Sequence, residues 1–172
     1  MNTEMRNIKN ILLVEDDVKD VELTLAALEE HHLANAVFVV HDGEEALDYL
    51  YHRGKYAARA PGNPVVVLLD NKMPKVNGLE VLKIIKADEQ LKIIPVVVLT
   101  SSREAPDLLE FYKHGVNAYV VKPVNFGEFM RAVKQLGVFW AAVNEPPPQI
   151  VRAEAPAHGG EADSAGKEGV KA

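Results

Sequence analysis

Several residues that could do chemistry together stand where short apolar runs of this chain end. Glu15, Asp16 and Asp17 follow the run 8–14, Asp70 follows 65–69, Thr100 and Ser101 follow 95–99, and Lys122 and Pro123 follow 118–121. Crowded carboxylates repel one another and favour a hard dication. Mg²⁺ takes six oxygens at about 2.1 Å and keeps several waters. Such a metal neutralises charge on an incoming phosphoryl group while a carboxylate attacks phosphorus. A lysine and a hydroxyl then stabilise the remaining oxygens. That chemistry would leave an aspartate carrying an acyl phosphate. Taken singly, each residue also has a plain role. The acids can cap a helix or shape a turn, Thr100 can bond to backbone, and Lys122 can be a solvated charge. The order in which they occur together is what points to chemistry.

The elements that must position them are legible in the apolar pattern. Runs at 8–14, 37–40, 65–69, 95–99 and 118–121 read as strands. Those at 65–69 and 95–99 are apolar throughout, as in a parallel sheet covered on both faces. Amphipathic segments at 18–30, 44–52, 78–87, 106–114 and 126–143 separate or follow them. Five strands alternating with five helices predict an α/β, doubly wound, five-stranded parallel sheet. Ligands of such sheets bind beyond the carboxyl ends of the strands, where the acids, the hydroxyl and the lysine fall. Asp42 and Asn125 each stand three residues before a Glu, the spacing of a capping box. Pro106 suits a first helical turn and Gly115 a helix end. Residues 53–63 read as a polar loop.

Composition bounds the rest. The chain has 172 residues, a net charge of −6 and no cysteine. Disulfides and thiolate sites are thereby excluded, and an acidic protein is a poor ligand for duplex nucleic acid. The apolar runs are too short to span a membrane and the N-terminus lacks a signal-peptide core, so the expected location is cytoplasmic. Residues 145–172 open on three prolines and hold few large apolar side chains. They read as a disordered tail after a folded domain at 1–144.

The segments Ile11-Leu12-Leu13-Val14-Glu15-Asp16-Asp17, Leu68-Leu69-Asp70-Asn71-Lys72-Met73-Pro74, Val98-Leu99-Thr100-Ser101-Ser102 and Tyr119-Val120-Val121-Lys122-Pro123 resemble a response-regulator receiver domain of two-component systems. The likeness covers roughly 8–143. It is closest to single-domain regulators that partner phytochrome kinases, through the segments at 42–47, 78–82, 115–119 and Phe139-Trp140. The resemblance implies a flavodoxin-like (βα)5 receiver fold, with Asp70 accepting a phosphoryl group from a sensor histidine kinase. It implies Mg²⁺, with Mn²⁺ as a substitute, on Asp16 and Asp70, on Glu15 mainly through water, and on the Lys72 backbone carbonyl. Thr100, Ser101 and Lys122 would hold the phosphoryl group, with a cis bond before Pro123 feasible. Thr100 and Tyr119 would form a switch, unless Tyr119 is simply a half-buried strand aromatic. Asn71-Lys72 departs from the usual pattern of that subfamily, and Asp17 is expected to cap a helix.

Two enzyme or cofactor classes compete. A haloacid-dehalogenase-like phosphatase also forms phospho-aspartate, but it wants its nucleophile on the first strand with a second Asp two residues later. A flavodoxin wants a Ser/Thr/Gly-rich loop where this chain has acids. Output is expected through protein contacts, including a homodimer on the face of the fourth helix, fifth strand and fifth helix. Phe129, Val133, Leu136, Trp140 and Val143 form a stripe the sheet can bury. Phe126, Phe139 and Trp140 are the expected interface residues.

Overall fold

Side chains alternate across a strand, so a run that is apolar at every position must be covered on both faces. In the computed structural model, which describes residues 10–30 and 32–148, β3 (Val66–Asp70) and β4 (Val96–Thr100) are buried at every position. They are flanked by β1 (Ile11–Val14), β2 (Val37–Val40) and β5 (Ala118–Val121) in a parallel sheet of order β2-β1-β3-β4-β5. The helices are α1 (Val18–Glu29), α2 (Gly43–Leu50), α3 (Gly78–Ala87), α4 (Ala105–Lys113) and α5 (Phe126–Val138). This is the doubly wound, flavodoxin-like receiver architecture expected from the sequence. Ile8 lies outside the described residues.

The two faces make two cores. Leu12, Val14, Val67, Leu69, Val96 and Val98 meet α2, α3 and Phe111 of α4. Ile11, Leu13, Val66, Leu68, Val97 and Leu99 meet Val21 and Leu28 of α1 and Phe129 and Val133 of α5. Burying each such side chain contributes about 1.5–3 kcal/mol, and a one-residue slip of a strand would turn its whole set over. Register is therefore fixed by the cores. It pairs Val14 with Leu69, Asp70 with Leu99 and Thr100 with Val121. Glu15 consequently stands level with Asp70, Thr100 one residue beyond it and Lys122 two, so all four fall at the carboxyl edge of the sheet.

Caps start the helices close to this edge. Asp17 accepts from the amides of Lys19 and Asp20 at 2.8 and 3.1 Å, as expected of an N-cap. Asp42 and Asn125 accept from Glu45 and Glu128 at 2.7 and 3.2 Å, but neither closes into a reciprocal box. Glu45 instead accepts from the His41 amide and the Tyr56 hydroxyl and pairs with Lys55. Its own burial is outweighed by these partners, which hold its carboxyl down to about 2. The reciprocal box forms at Asn77 and Glu80. Pro106 sits in the first turn of α4, and Gly115 follows that helix with φ +81°.

One expectation gains a detail and one needs correction. Residues 53–63 form the polar loop expected, with one side chain turned inward. Gly54–Tyr56 is a 3-10 turn, Tyr56 is buried against Phe38 and Tyr49, and the Arg59 guanidinium lies 4.2 Å from the Tyr49 ring. Val143 leaves the buried stripe and is 68% exposed. After Val138 the helix widens into a π turn, Phe139–Val143, with Asn144 N bonding to Phe139 O at 2.6 Å. A change from i→i+4 to i→i+5 bonding rotates later residues, so Ala141 faces inward instead. Of the tail, 145–148 carry no regular structure and 149–172 lie outside the described residues.

The β3–α3 connection is closely packed beside the edge where the acids stand. Gly78 N donates to Asn71 O at 3.0 Å, and a Cβ on Gly78 would stand 2.3 Å from Asp70 O and 2.8 Å from Asn71 Cα. Those neighbours are backbone and cannot rotate away. Gly78→Ala should therefore destabilise the fold by about 1–3 kcal/mol. A thermal melt lowered by about 3–10 °C checks this, and an unchanged melt contradicts the crowding.

Candidate functional site

At the sheet edge, β1 and β3 are adjacent while their following helices leave on opposite faces, which opens the crevice characteristic of this strand order. Asp70 ends β3 and is buried. Its carboxylate accepts from the Lys72 amide at 3.1 Å and also from that of Asn71. The turn 71–73 is thus folded back over Asp70, and the Lys72 side chain is left exposed. Glu15 is buried beside it, accepting from the Asp17 amide at 3.1 Å. Its backbone carbonyl lies 3.2 Å from His41 Nδ1, which braces the β1 end against the β2–α2 loop. Asp16 is exposed.

One carboxylate oxygen from each of Glu15, Asp16 and Asp70 falls within 4.8 Å of the others. The donors are all hard oxygens, and exposed Asp16 opens the group to water. That combination suits a divalent cation that keeps part of its hydration shell. Burial pushes the Glu15 and Asp70 carboxyls up, and mutual repulsion adds to it, while Lys122 pulls both down.

Lys122 reaches in from the end of β5. Its Nζ is 2.6 Å from Asp20 Oδ2, 2.7 Å from Glu15 Oε2 and 3.3 Å from Asp70 Oδ1. Burial disfavours its charge, but the three carboxylates outweigh that and hold its pKa above the ordinary lysine value. The Lys122–Pro123 bond is trans, as is every described peptide bond. The expectation of a cis bond thus fails, in line with the usual preference of X–Pro amides.

Thr100 is fully buried at the end of β4, and its Oγ1 accepts from the Ser102 amide at 3.1 Å. Ser101 is exposed. The Tyr119 hydroxyl donates to the Ser102 carbonyl at 3.2 Å, and its ring centroid lies 5.5 Å from that of Phe111. Ser102 Oγ in turn donates to Asp107 in the first turn of α4 at 2.7 Å. Thr100 and Tyr119 are therefore linked through one residue to the start of that helix.

The structure thus gathers Glu15, Asp16, Asp70, Thr100, Lys122 and the Lys72 backbone at one edge. Phe126, Phe139 and Trp140 lie elsewhere and not side by side. Phe126 opens α5 and Phe139 follows its last residue, which at about 1.5 Å per residue is about 20 Å away. Phe139 and Trp140 do meet, with centroids 5.0 Å apart. Sequence reasoning missed Asp20. Its signal was positional: three residues after the cap Asp17, it sits in the first helical turn, where side chains lean back toward the strand ends.

The family model of the response regulator receiver domain matches residues 11–134. The bacteriophytochrome response regulator RtBRR is 60% identical, with 81% of this chain and 84% of that one covered and a TM-score of 0.65. The phosphorylated cyanobacterial phytochrome response regulator RcpA is 39% identical, with 81% and 99% covered and a TM-score of 0.76. Response regulator Rcp1 of Synechocystis is 36% identical over 140 residues, 81% of this chain and 94% of its own. A Mn²⁺-bound form of Rcp1 superposes with a TM-score of 0.76 over 81% of this chain and 99% of that one. The haloacid-dehalogenase alternative finds no support. From its strand-end acids to its matched relatives, this chain is a signalling protein that belongs to the response regulator receiver domain family and is similar to phytochrome response regulators.

Proposed function

We propose that this protein is the phosphoacceptor of a two-component phosphorelay, taking a phosphoryl group from a sensor histidine kinase onto Asp70. The observation that carries this reading is the juxtaposition of a buried strand-end carboxylate, two further acids and Lys122, whose Nζ lies 3.3 Å from Asp70 Oδ1. Asp16, Asp70, the Lys72 carbonyl and water-linked Glu15 would hold Mg²⁺, with Mn²⁺ as a substitute. The cation supplies charge neutralisation at the phosphoryl oxygens. Asp70 attacks phosphorus and the leaving group departs in line. Lys122 then bonds one phosphoryl oxygen and Thr100 another, with small Ser101 leaving room. The protein acts on itself rather than turning over a substrate, in the cytoplasm, with neither nucleic acid nor membrane as a partner. The likeness to bacteriophytochrome response regulators favours a phytochrome-type kinase as donor.

Movement of Thr100 toward the phosphoryl group would remove the acceptor of the Ser102 amide. Tyr119 and Asp107 both bond to Ser102, so the change reaches β5 and α4 together. A homodimer on the α4–β5–α5 face fits this route. Leu109, Tyr112 and Phe126 there are 54%, 54% and 60% exposed. Phe139 and Trp140 extend the patch to the far end of α5, and an open groove of about 590 Å³ runs between them, Leu136 and Val120. The receiver domain at 1–144 suffices for phosphorylation in this account, and 145–172 is a dispensable tail.

Acetyl phosphate should label the wild type once, only with Mg²⁺ or Mn²⁺ present. Asp70→Asn should accept nothing. Asp16→Ala should lose metal-dependent labelling while keeping its melting temperature, since removing a crowded carboxylate relieves repulsion. Labelling of Asp70→Asn at wild-type stoichiometry overturns the assignment.

The dimer is checked by sedimentation of the wild type against Phe139→Ala/Trp140→Ala and Phe126→Ala, with and without a phosphoryl mimic. The substitutions should shift the wild-type dimer toward monomer. A wild type that stays monomeric at high micromolar concentration in both states contradicts it.

A further inference from the structure

The shortest contact at the site is made by a residue outside the acid cluster. Asp20 Oδ2 lies 2.6 Å from Lys122 Nζ, closer than Glu15 at 2.7 Å or Asp70 at 3.3 Å. An ammonium has three N–H donors; here Nζ hydrogen-bonds Glu15 and Asp20 and is ion-paired with Asp70, the longest of the three contacts. Asp20 is fixed by its helix, whose start is set by the Asp17 cap. The three partners differ in how readily they release the lysine. The Glu15 and Asp70 side chains are 4% and 9% exposed and have little solvent to fall back on, while that of Asp20 is 33% exposed. A phosphoryl group on Asp70 brings new anionic oxygens next to the weakest of the three contacts. Lys122 can turn to them at least cost by giving up the one partner that water can solvate again.

We propose that Asp20 is a positioning residue that competes with the phosphoryl group for Lys122. The proposal rests on the reading of Asp70 as phosphoacceptor and adds a residue that tunes it. Before phosphorylation, Asp20 draws the lysine charge away from Glu15 and Asp70, leaving those carboxylates more available to a cation. After phosphorylation, it withholds part of the lysine from the phosphoryl oxygens. Neutralising Asp20 therefore acts in opposite directions on the two ligands. An acid serving only the helix dipole would also act on both ligands through its field, but salt screens that field and leaves a direct 2.6 Å contact, so the signature of competition for Lys122 is opposed shifts that persist at high salt.

The test compares the full chain with Asp20→Asn and Asp20→Glu by calorimetry at high salt, where through-space effects of an exposed charge are screened. One titration uses Mg²⁺ alone. A second uses beryllofluoride, a phosphoryl mimic, at saturating Mg²⁺. In Asp20→Asn, Mg²⁺ should bind about threefold more weakly and beryllofluoride about threefold more tightly, the size of one partly exposed ion contact. Asp20→Glu, which keeps the charge and can reach the lysine, should match the wild type in both. A wild type that takes up no beryllofluoride overturns the reading of Asp70 and the proposal with it. A wild type that binds both ligands, beside an Asp20→Asn variant without the two opposed shifts, overturns the role of Asp20 alone.

Discussion

Like charge gathered in a half-buried place is the constraint from which the rest of this structure follows. Carboxylate oxygens within 4.8 Å of one another repel by about 3 kcal/mol or more at an effective dielectric constant of about 20. Glu15, Asp16, Asp70 and Asp20 accumulate several such terms at the end of one sheet. Lys122 opposes them at similar distances, but one positive charge cannot balance four negative ones. The site is therefore electrostatically unfinished, with a net charge of −3 of which a divalent cation would neutralise the larger part.

Holding such a cluster together requires a frame that does not yield, and the two-sided core provides it. Alternate residues of β1, β3 and β4 are committed to opposite faces, so none of these strands can slide to relieve the crowding. The crevice between β1 and β3, the tight Gly78 joint and the back-folded amides of Asn71 and Lys72 fix the carboxylate of Asp70 on three sides. A pliable route away from the site runs through Thr100, Ser102 and then Tyr119 or Asp107. It is built of single hydrogen bonds, each worth about 1 kcal/mol net, which is the scale on which a covalent change at Asp70 can rearrange them.

Most of the frame was legible in the sequence because it is written in local periodicity. The all-apolar runs at 65–69 and 95–99 became the two central strands, and the residues that follow each run became the site. Asp17 was read as a cap and is one. What local periodicity does not carry was decided by tertiary contacts. The 53–63 segment looks polar, yet Tyr56 is carried into an aromatic cluster by a hydroxyl bond to Glu45 that no window of neighbours encodes. Val143 was placed on the buried stripe by assuming a uniform helix, and a π turn shifted its phase. Asp20 was overlooked because its partner Lys122 is 102 residues away and on another element.

The central claim is that the carboxylate of Asp70, and no other group at this edge, carries the phosphoryl group. Borohydride reduces an acyl phosphate and leaves homoserine where the aspartate stood, so the site is recorded covalently. The wild type, treated with acetyl phosphate and Mg²⁺, trapped in this way and digested, should yield by mass spectrometry a single homoserine, at position 70. Homoserine at position 16, 17 or 20 instead, or stable phosphate on Thr100 or Ser101 with position 70 unmodified, would contradict the account.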